Sequence, residues 1–449
     1  MIKITPITAY EIADFLGVQR PERDAIIKEI SIDTREGFGE NTCFIAIDGK
    51  RFSGNDFLNE AIEKGAKCIV SNLEKAAPVS FISTFDTKKA FLKLSSREIK
   101  NTKIIAVTGS VGKTTVKEMI SSVLSSQFKV HSTFSNHNNE IGVAQTLFSI
   151  NNEDFCVVEM GMRGLGEIEE LAMVCEPFIG VITNCGTSHI ELLGSKENIF
   201  RAKCELIKHT TYATIVPFEE RFRKLQYGSL QSIFVGEGGN VELLRVTSDK
   251  KRIIADIIDN DRNKILTIQI PSFFYHDANN ALFAYKVGKL CGVSDKNIIN
   301  GIMEYKKCGG RGQKIEIGPF EVIDDTYNAS FESVEQAIIS LAKYSSSVGK
   351  KSVLIIGDML EIGDFSREYH TKIGEIAKKY AIDELVSFGR FSSFVCDGFS
   401  GGIIADSLDD IVDIILNKTP KSSVLLVKAS RSMGFEKIID DLKEKIDED

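Results

Sequence analysis

"KIIAVTGSVGKTT", residues 103–115, decides the fold. Its first half is an apolar, β-branched run that reads as a buried strand. Its second half carries two glycines, a lysine and two threonines. Val116, Met119, Ile120, Val123 and Leu124 then recur at i, i+3, i+4, i+7 and i+8, the spacing of an amphipathic helix. Strand, glycine loop and helix N-terminus is the order a phosphate site needs. Gly109 and Gly112 let backbone N–H groups turn toward phosphate oxygens across Ser110, and the helix dipole beneath Thr115 favours the anion. Lys113 reaches the terminal phosphates, and the Thr114 hydroxyl is placed for a magnesium ion. The common phosphate-loop pattern G-x-x-x-x-G-K-[ST] asks for glycine at position 107; this chain has Val107 there and departs from it.

Working outward, apolar runs at 155 ("FCVVE"), 179 ("IGVIT"), 352 ("SVLIIG"), 384 ("ELVSF") and 423 ("SVLLV") alternate with helical patterns, which predicts an α/β chain with parallel sheets covered on both faces. The 449 residues are too many for one core. Breaks in composition at "SSREIKNT" (95–102) and "KKCGGRGQK" (306–314) predict three domains: 1–100, 101–310 and 311–449. The expected folds are a small N-terminal α/β domain, a central P-loop ATPase-like parallel-sheet domain and a C-terminal Rossmann-like α/β domain.

A net charge of −8 argues against a broad nucleic-acid-binding surface. No stretch approaches the roughly 20 apolar residues of a membrane span, and "MIKITPITAY" has no signal-peptide character. The nine cysteines are scattered, odd in number and without a C-x-x-C pair, which predicts reduced thiols in a cytoplasmic protein, mostly as small core residues.

A magnesium–phosphate site wants carboxylate oxygen at the same sheet edge. Glu159 ends the strand "FCVVE", and open α/β sheets bind ligands at the C-terminal ends of their strands. The next strand runs into "NCGTSHIELLGSKENIFRAKCEL", which brings His189 to that edge and places Lys203 on the following helix. Taken alone, His189 reads as structural and Lys203 as an exposed helix lysine.

"TGSVGKTT" resembles the nucleotide loop of the Mur ligases, ATP-dependent amide-bond enzymes of peptidoglycan synthesis, whose loop reads G-[ST]-x-G-K-T. "EMGMRGLGEIEEL" from Glu159, "TNCGTSHIELLGSKENIFRAKCEL" from Thr183, "DDTYNAS" from Asp324, "IGDMLEIGDFSREYH" from Ile356 and "LVKASRSM" from Leu426 fall in the family's order. The last three resemble the branch that adds D-alanyl-D-alanine to a UDP-MurNAc-tripeptide, which implies those two substrates and an acyl-phosphate intermediate. The resemblance implies a catalytic set of Lys113, His189, Lys203 and Arg311. It implies ATP and two Mg²⁺ ions as cofactors, one ion on Thr114 and Glu159 and one on His189 and a carbamylated Lys203. Asn280 is expected beside the adenine or the phosphates, Asp325 by the ribose, Arg311 reaching the ATP from the C-terminal domain, and Tyr327 and Asn328 on the ATP and dipeptide sides of the cleft.

Several positions depart from the family's pattern. Phe274 and Asp277 replace a glycine and an asparagine near His276, and Ser330 and Phe331 replace Asn-Pro at the acceptor side. Lys428, Ser430 and Arg431 lie in a variant K-G-S-R block. "ISIDTRE" resembles the nucleotide-sugar segment, so Ser31, Thr34 and Arg35 are expected at the UDP-sugar. The protein is expected to be a monomer that closes its domains over the reaction. The alternatives are another amino-acid-adding ligase of the family and a non-ligase P-loop switch.

Overall fold

Lys103–Thr108 is the strand that the sequence predicts, buried from Ile104 onward. In the computed structural model, which describes residues 1–49, 52–226, 228–249, 251–307 and 309–447, it lies near the middle of a nine-stranded sheet. Phe155–Glu159 pairs parallel on one side and Ile179–Ile182 on the other. The chain fills one side of Lys103–Thr108 and then crosses to the other, so the loop at 109–112 sits where the strand order reverses.

Lys113–Ser125 is the predicted helix, and all five of its periodic apolar residues are buried. Each buried side chain of this size contributes about 1.5–3 kcal/mol. The helix packs on Asp277–Leu290 and Asp295–Glu304, which anchors its N-terminus and hence the loop.

A five-stranded sheet holds residues 2–83 and a six-stranded sheet residues 313–428. In the last, Ser423–Lys428 pairs parallel with Phe320–Asp324 and with Lys351–Gly357. The architecture is α/β on three sheets, as expected. It differs from purely parallel sheets in three places. Ile2–Thr8 with Ile26–Ser31, and Gln313–Ile317 with Phe320–Asp324, pair antiparallel. So do Val241–Ser248, Ile253–Asp259 and Lys264–Ile270, which extend the central sheet at one edge. In Ile253–Asp259 buried and half-buried residues alternate, the pattern of a sheet covered on one face.

Five of the eight described cysteines are buried and none is disulfide-bonded. No helix among the described residues is long and apolar enough to cross a membrane.

Candidate active site

The loop explains its own departure from the common pattern. Val107 is still in the strand, fully buried and paired with Glu159 and Val181, so the turn begins at Gly109. A Cβ at Gly109 would lie 1.9 Å from Thr183 Oγ1. Gly112 has φ +84°, and a Cβ there would meet Asn280 Oδ1 at 2.8 Å. Asn184 clamps the loop: Val111 N–H donates to its Oδ1 at 2.9 Å, and its Nδ2 donates to Val111 O at 2.8 Å. Lys113 Nζ donates to Gly109 O at 2.7 Å, which holds the ammonium at the loop's mouth. Burial lowers its pKa, opposed by Glu159 and reinforced by Arg311. Gly109→Ala is expected to cost roughly 1–3 kcal/mol through overpacking; thermal unfolding and binding of an ATP analogue should both weaken.

Glu159 closes its strand with one oxygen satisfied and one not. Oε1 accepts from Asn138 Nδ2 at 2.8 Å, whereas Oε2 is buried without a hydrogen-bond partner among the described residues. A buried carboxylate oxygen left this way is costly, and a hard cation supplies what it lacks. No cluster of three or more His, Cys, Asp or Glu side chains among the described residues forms a ready-made metal cage.

Lys203 is not an exposed helix lysine. It is 2% exposed on the helix Lys196–Lys208, and no carboxylate among the described residues forms an ion pair with it. Burial first, and then the charge of Lys113, pull its pKa from 10.5 down to about 7. His189 precedes a one-turn helix with φ +63°, a left-handed conformation uncommon for a non-glycine residue. Its Nδ1 lies 2.7 Å from Glu361 Oε2, with the ring turned off the hydrogen-bond direction.

The C-terminal sheet brings Arg311 and Tyr327 to the opposite wall. The Arg311 guanidinium stacks 3.7 Å above the Tyr327 ring centroid. Asp325 is engaged by Lys428 Nζ at 2.5 Å, and the same amine donates to Asn328 O at 2.9 Å. Burial raises the Asp325 pKa against the pull of Lys428. Ser330 starts the helix Phe331–Val348, its N–H donating to Ser333 Oγ at 2.9 Å.

The two residues that replace the family's glycine and asparagine sit together at the 306–314 linker. The Phe274 ring occupies the space where a Cβ on Gly312 would come within 2.1 Å. Asp277 is buried, ion-paired with Lys307 Nζ at 3.0 Å, and accepts from Asn280 Nδ2 at 2.9 Å. Burial works to raise its pKa, but Lys307 and His276 outweigh that and hold it at about 2. A depressed carboxylate pKa stabilises the fold above the unfolded value of 3.8 and is lost as pH falls toward 2. Asp277→Asn, which restores the family's residue but strands Lys307, is expected to destabilise by roughly 3 kcal/mol at neutral pH. Denaturant unfolding would read this, with the difference from wild type shrinking below pH 4.

A cleft of about 1430 Å³ gathers Ser110, Gly112, Lys113, Thr114, Thr115, Glu159, His189, Arg311, Asp325, Tyr327, Asn328, Ser330, Lys428, Ser430 and Arg431 on its walls. Gly109, Lys203 and Asn280 lie outside this lining. Ser31, Thr34 and Arg35 do not line it either; Ile32, Ile47 and Gly49 reach it from that side. Arg35 is spent on Asp33, its Nη2 2.5 Å from Oδ2, and Thr34 is buried. Lys50 and Arg51 lie outside the described residues, as does Cys308 of the linker. Residue patterns alone missed Asn138, Asn184 and the Asp277–Lys307 pair; the asparagine runs at "SNHNN" and "TNCG" were the available signal.

A glycine loop at a switch point, a buried carboxylate at a strand end and an arginine leading into a second sheet define a nucleotide-dependent enzyme whose site is shared between the central and C-terminal sheets. Residues 107–288 match the Mur ligase middle domain, and residues 310–431 match the Mur ligase, glutamate ligase domain. The chain belongs to the Mur ligase family. It is 31% identical to the UDP-N-acetylmuramoyl-tripeptide–D-alanyl-D-alanine ligase of Bacillus subtilis (strain 168), over 93% of this chain and 94% of that one. To the ligase of the same name from Synechocystis it is 32% identical, over 95% and 94%. Among solved structures it resembles MurF from Acinetobacter baumannii at TM-score 0.89 and 28% identity, covering 99% and 100%. It also resembles MurF from Thermotoga maritima in complex with ADP at 0.85 and 26%, covering 94% and 98%.

Proposed function

We propose that this protein is the ATP-dependent ligase that joins D-alanyl-D-alanine to UDP-N-acetylmuramoyl-tripeptide, releasing ADP and phosphate, in the cytoplasmic synthesis of peptidoglycan precursor. The observation that carries this is the convergence of Lys113, Glu159, His189 and Arg311 on one cleft, above a buried Lys203, in a chain that aligns nearly end to end with ligases of that name.

A carboxylate is a poor electrophile with no good leaving group. Phosphorylating it solves both problems. The tripeptide's terminal carboxylate attacks the γ-phosphorus of ATP, forming a C–O–P link and breaking the bond to ADP. Loop residues 109–115 hold the phosphates, and Lys113 and Arg311 face the charge on the transferring group. Thr114 with Glu159, and His189 with Lys203, would hold magnesium, which supplies charge neutralisation and phosphate orientation when bound. For Lys203 to serve it must become an anionic oxygen ligand, and burial that keeps its amine near neutral favours addition of CO₂ to give a carbamate. The dipeptide amine then attacks the acyl carbon, and the phosphate departs with the bridging oxygen.

We assign Asn280 and Asp325 to the nucleoside side, Asn328 and Ser330 to the acceptor, and Ser31, Thr34 and Arg35 to the UDP-sugar. We take 1–100, 101–310 and 311–449 as the domains of a working monomer. An acyl phosphate hydrolyses readily, so closure of the C-terminal domain excludes water while Arg311 completes the site. The test offers the lysine- and the diaminopimelate-containing tripeptide in turn, with ATP, Mg²⁺ and D-alanyl-D-alanine. A pentapeptide product by mass spectrometry supports the reading; no product with either contradicts it.

A further inference from the structure

Glu361 belongs to "IGDMLEIGD", residues 356–364, a segment that resembles the dipeptide-adding branch. Glu361 follows the C-terminal sheet's strand Lys351–Gly357 and crosses to the central sheet's His189. Both residues have left-handed backbones, φ +65° and +63°. Strained positions of this kind persist where surrounding structure imposes them, and they cluster at functional contacts. The interface around them is built: Glu191 N–H donates to Glu361 O at 3.4 Å, and Thr187 Oγ1 donates to Glu332 Oε2 at 2.9 Å. Arg163 is the nearby cation that also acts on Glu361.

We infer that Glu361 is a positioning residue that sets the tautomer and ring orientation of His189. A carboxylate only accepts, so a neutral imidazole facing it must carry its hydrogen on Nδ1 and leave Nε2 with a lone pair. Contact distance is already reached at 2.7 Å. Because Glu361 comes from the C-terminal sheet, His189 is prepared only when that sheet is seated against the central one. Domain closure and readiness of the phosphate-side site thus become one event.

This rests on the ligase reading for its kinetic arm alone. The Glu361 side chain is 43% exposed, so its variants are expected to fold. In ¹⁵N-histidine-labelled full-length protein at pH 8, with His189→Gln used to assign the resonance, wild type should show His189 protonated at Nδ1. Glu361→Ala should shift it toward the Nε2–H form. The same variant should lose about 10–100-fold in kcat, the usual cost of removing a partner that orients a ligating histidine, with the KM for ATP nearly unchanged. Glu361→Gln, which can still accept at Nδ1, should recover part of both. An unchanged His189 tautomer in Glu361→Ala, or a kcat within about twofold of wild type, overturns the inference. If wild type makes no pentapeptide but the tautomer still responds, the ligase reading fails and the positioning role stands.

Discussion

Lys203→Arg should reduce kcat by about 10³-fold, a loss near 4 kcal/mol of transition-state stabilisation. Arginine keeps the positive charge and similar reach but does not form a carbamate, so the substitution removes the oxygen ligand rather than the side chain. The chemistry fixes the pH dependence. R–NH₂ and CO₂ give R–NHCO₂⁻ and a proton, so the carbamate needs the neutral amine. With the Lys203 pKa lowered to about 7, the neutral form dominates above that pH and is lost below it. Wild-type activity should therefore fall as pH drops through 7 and fall further in CO₂-depleted buffer. ¹³CO₂ should give a carbamate resonance in wild type that Lys203→Arg lacks. Full activity of Lys203→Arg, or indifference to CO₂, would mean that the reaction does not depend on a carbamate at Lys203.

Arg311→Ala should be nearly as damaging, again by about 10³-fold in kcat, the lower end for an arginine delivered to a transferring phosphoryl group. The guanidinium is pre-oriented by stacking 3.7 Å over Tyr327, and it lies in the linker between the central and C-terminal sheets, just before the strand Gln313–Ile317. Affinity for ATP alone should change little, because the loop at 109–115 makes its contacts without the C-terminal wall. Arg311→Lys should rescue poorly, since an ammonium neither stacks as a plane nor offers two parallel donors. An Arg311→Ala enzyme with wild-type kcat and a raised KM for ATP would instead make Arg311 a plain binding residue.

What was legible in the sequence was whatever the backbone writes into short range. The strand at 103, the glycine turn and the helix at 113–125 follow from local periodicity and composition, and so does the placement of Glu159 at a strand end. The antiparallel edge at 241–270 was not read, since its half-polar strands carry a weaker signal than the buried parallel ones. Contacts made between remote segments were invisible for a different reason. Asp277 with Lys307, Asp325 with Lys428 and His189 with Glu361 join residues 30 to 172 positions apart, and only the packed sheets bring them together. Lys203 shows both limits at once: its helix was readable, but its burial depends on the sheet beneath it.

The most direct measurement labels the tripeptide's terminal carboxylate with ¹⁸O and follows the label during turnover with ATP, Mg²⁺ and D-alanyl-D-alanine. Activation through an acyl phosphate predicts phosphate carrying one ¹⁸O per pentapeptide formed, with release dependent on the dipeptide. Unlabelled phosphate, released at the same rate without dipeptide, would show that water is the nucleophile and that the chain is a nucleotide hydrolase rather than a ligase.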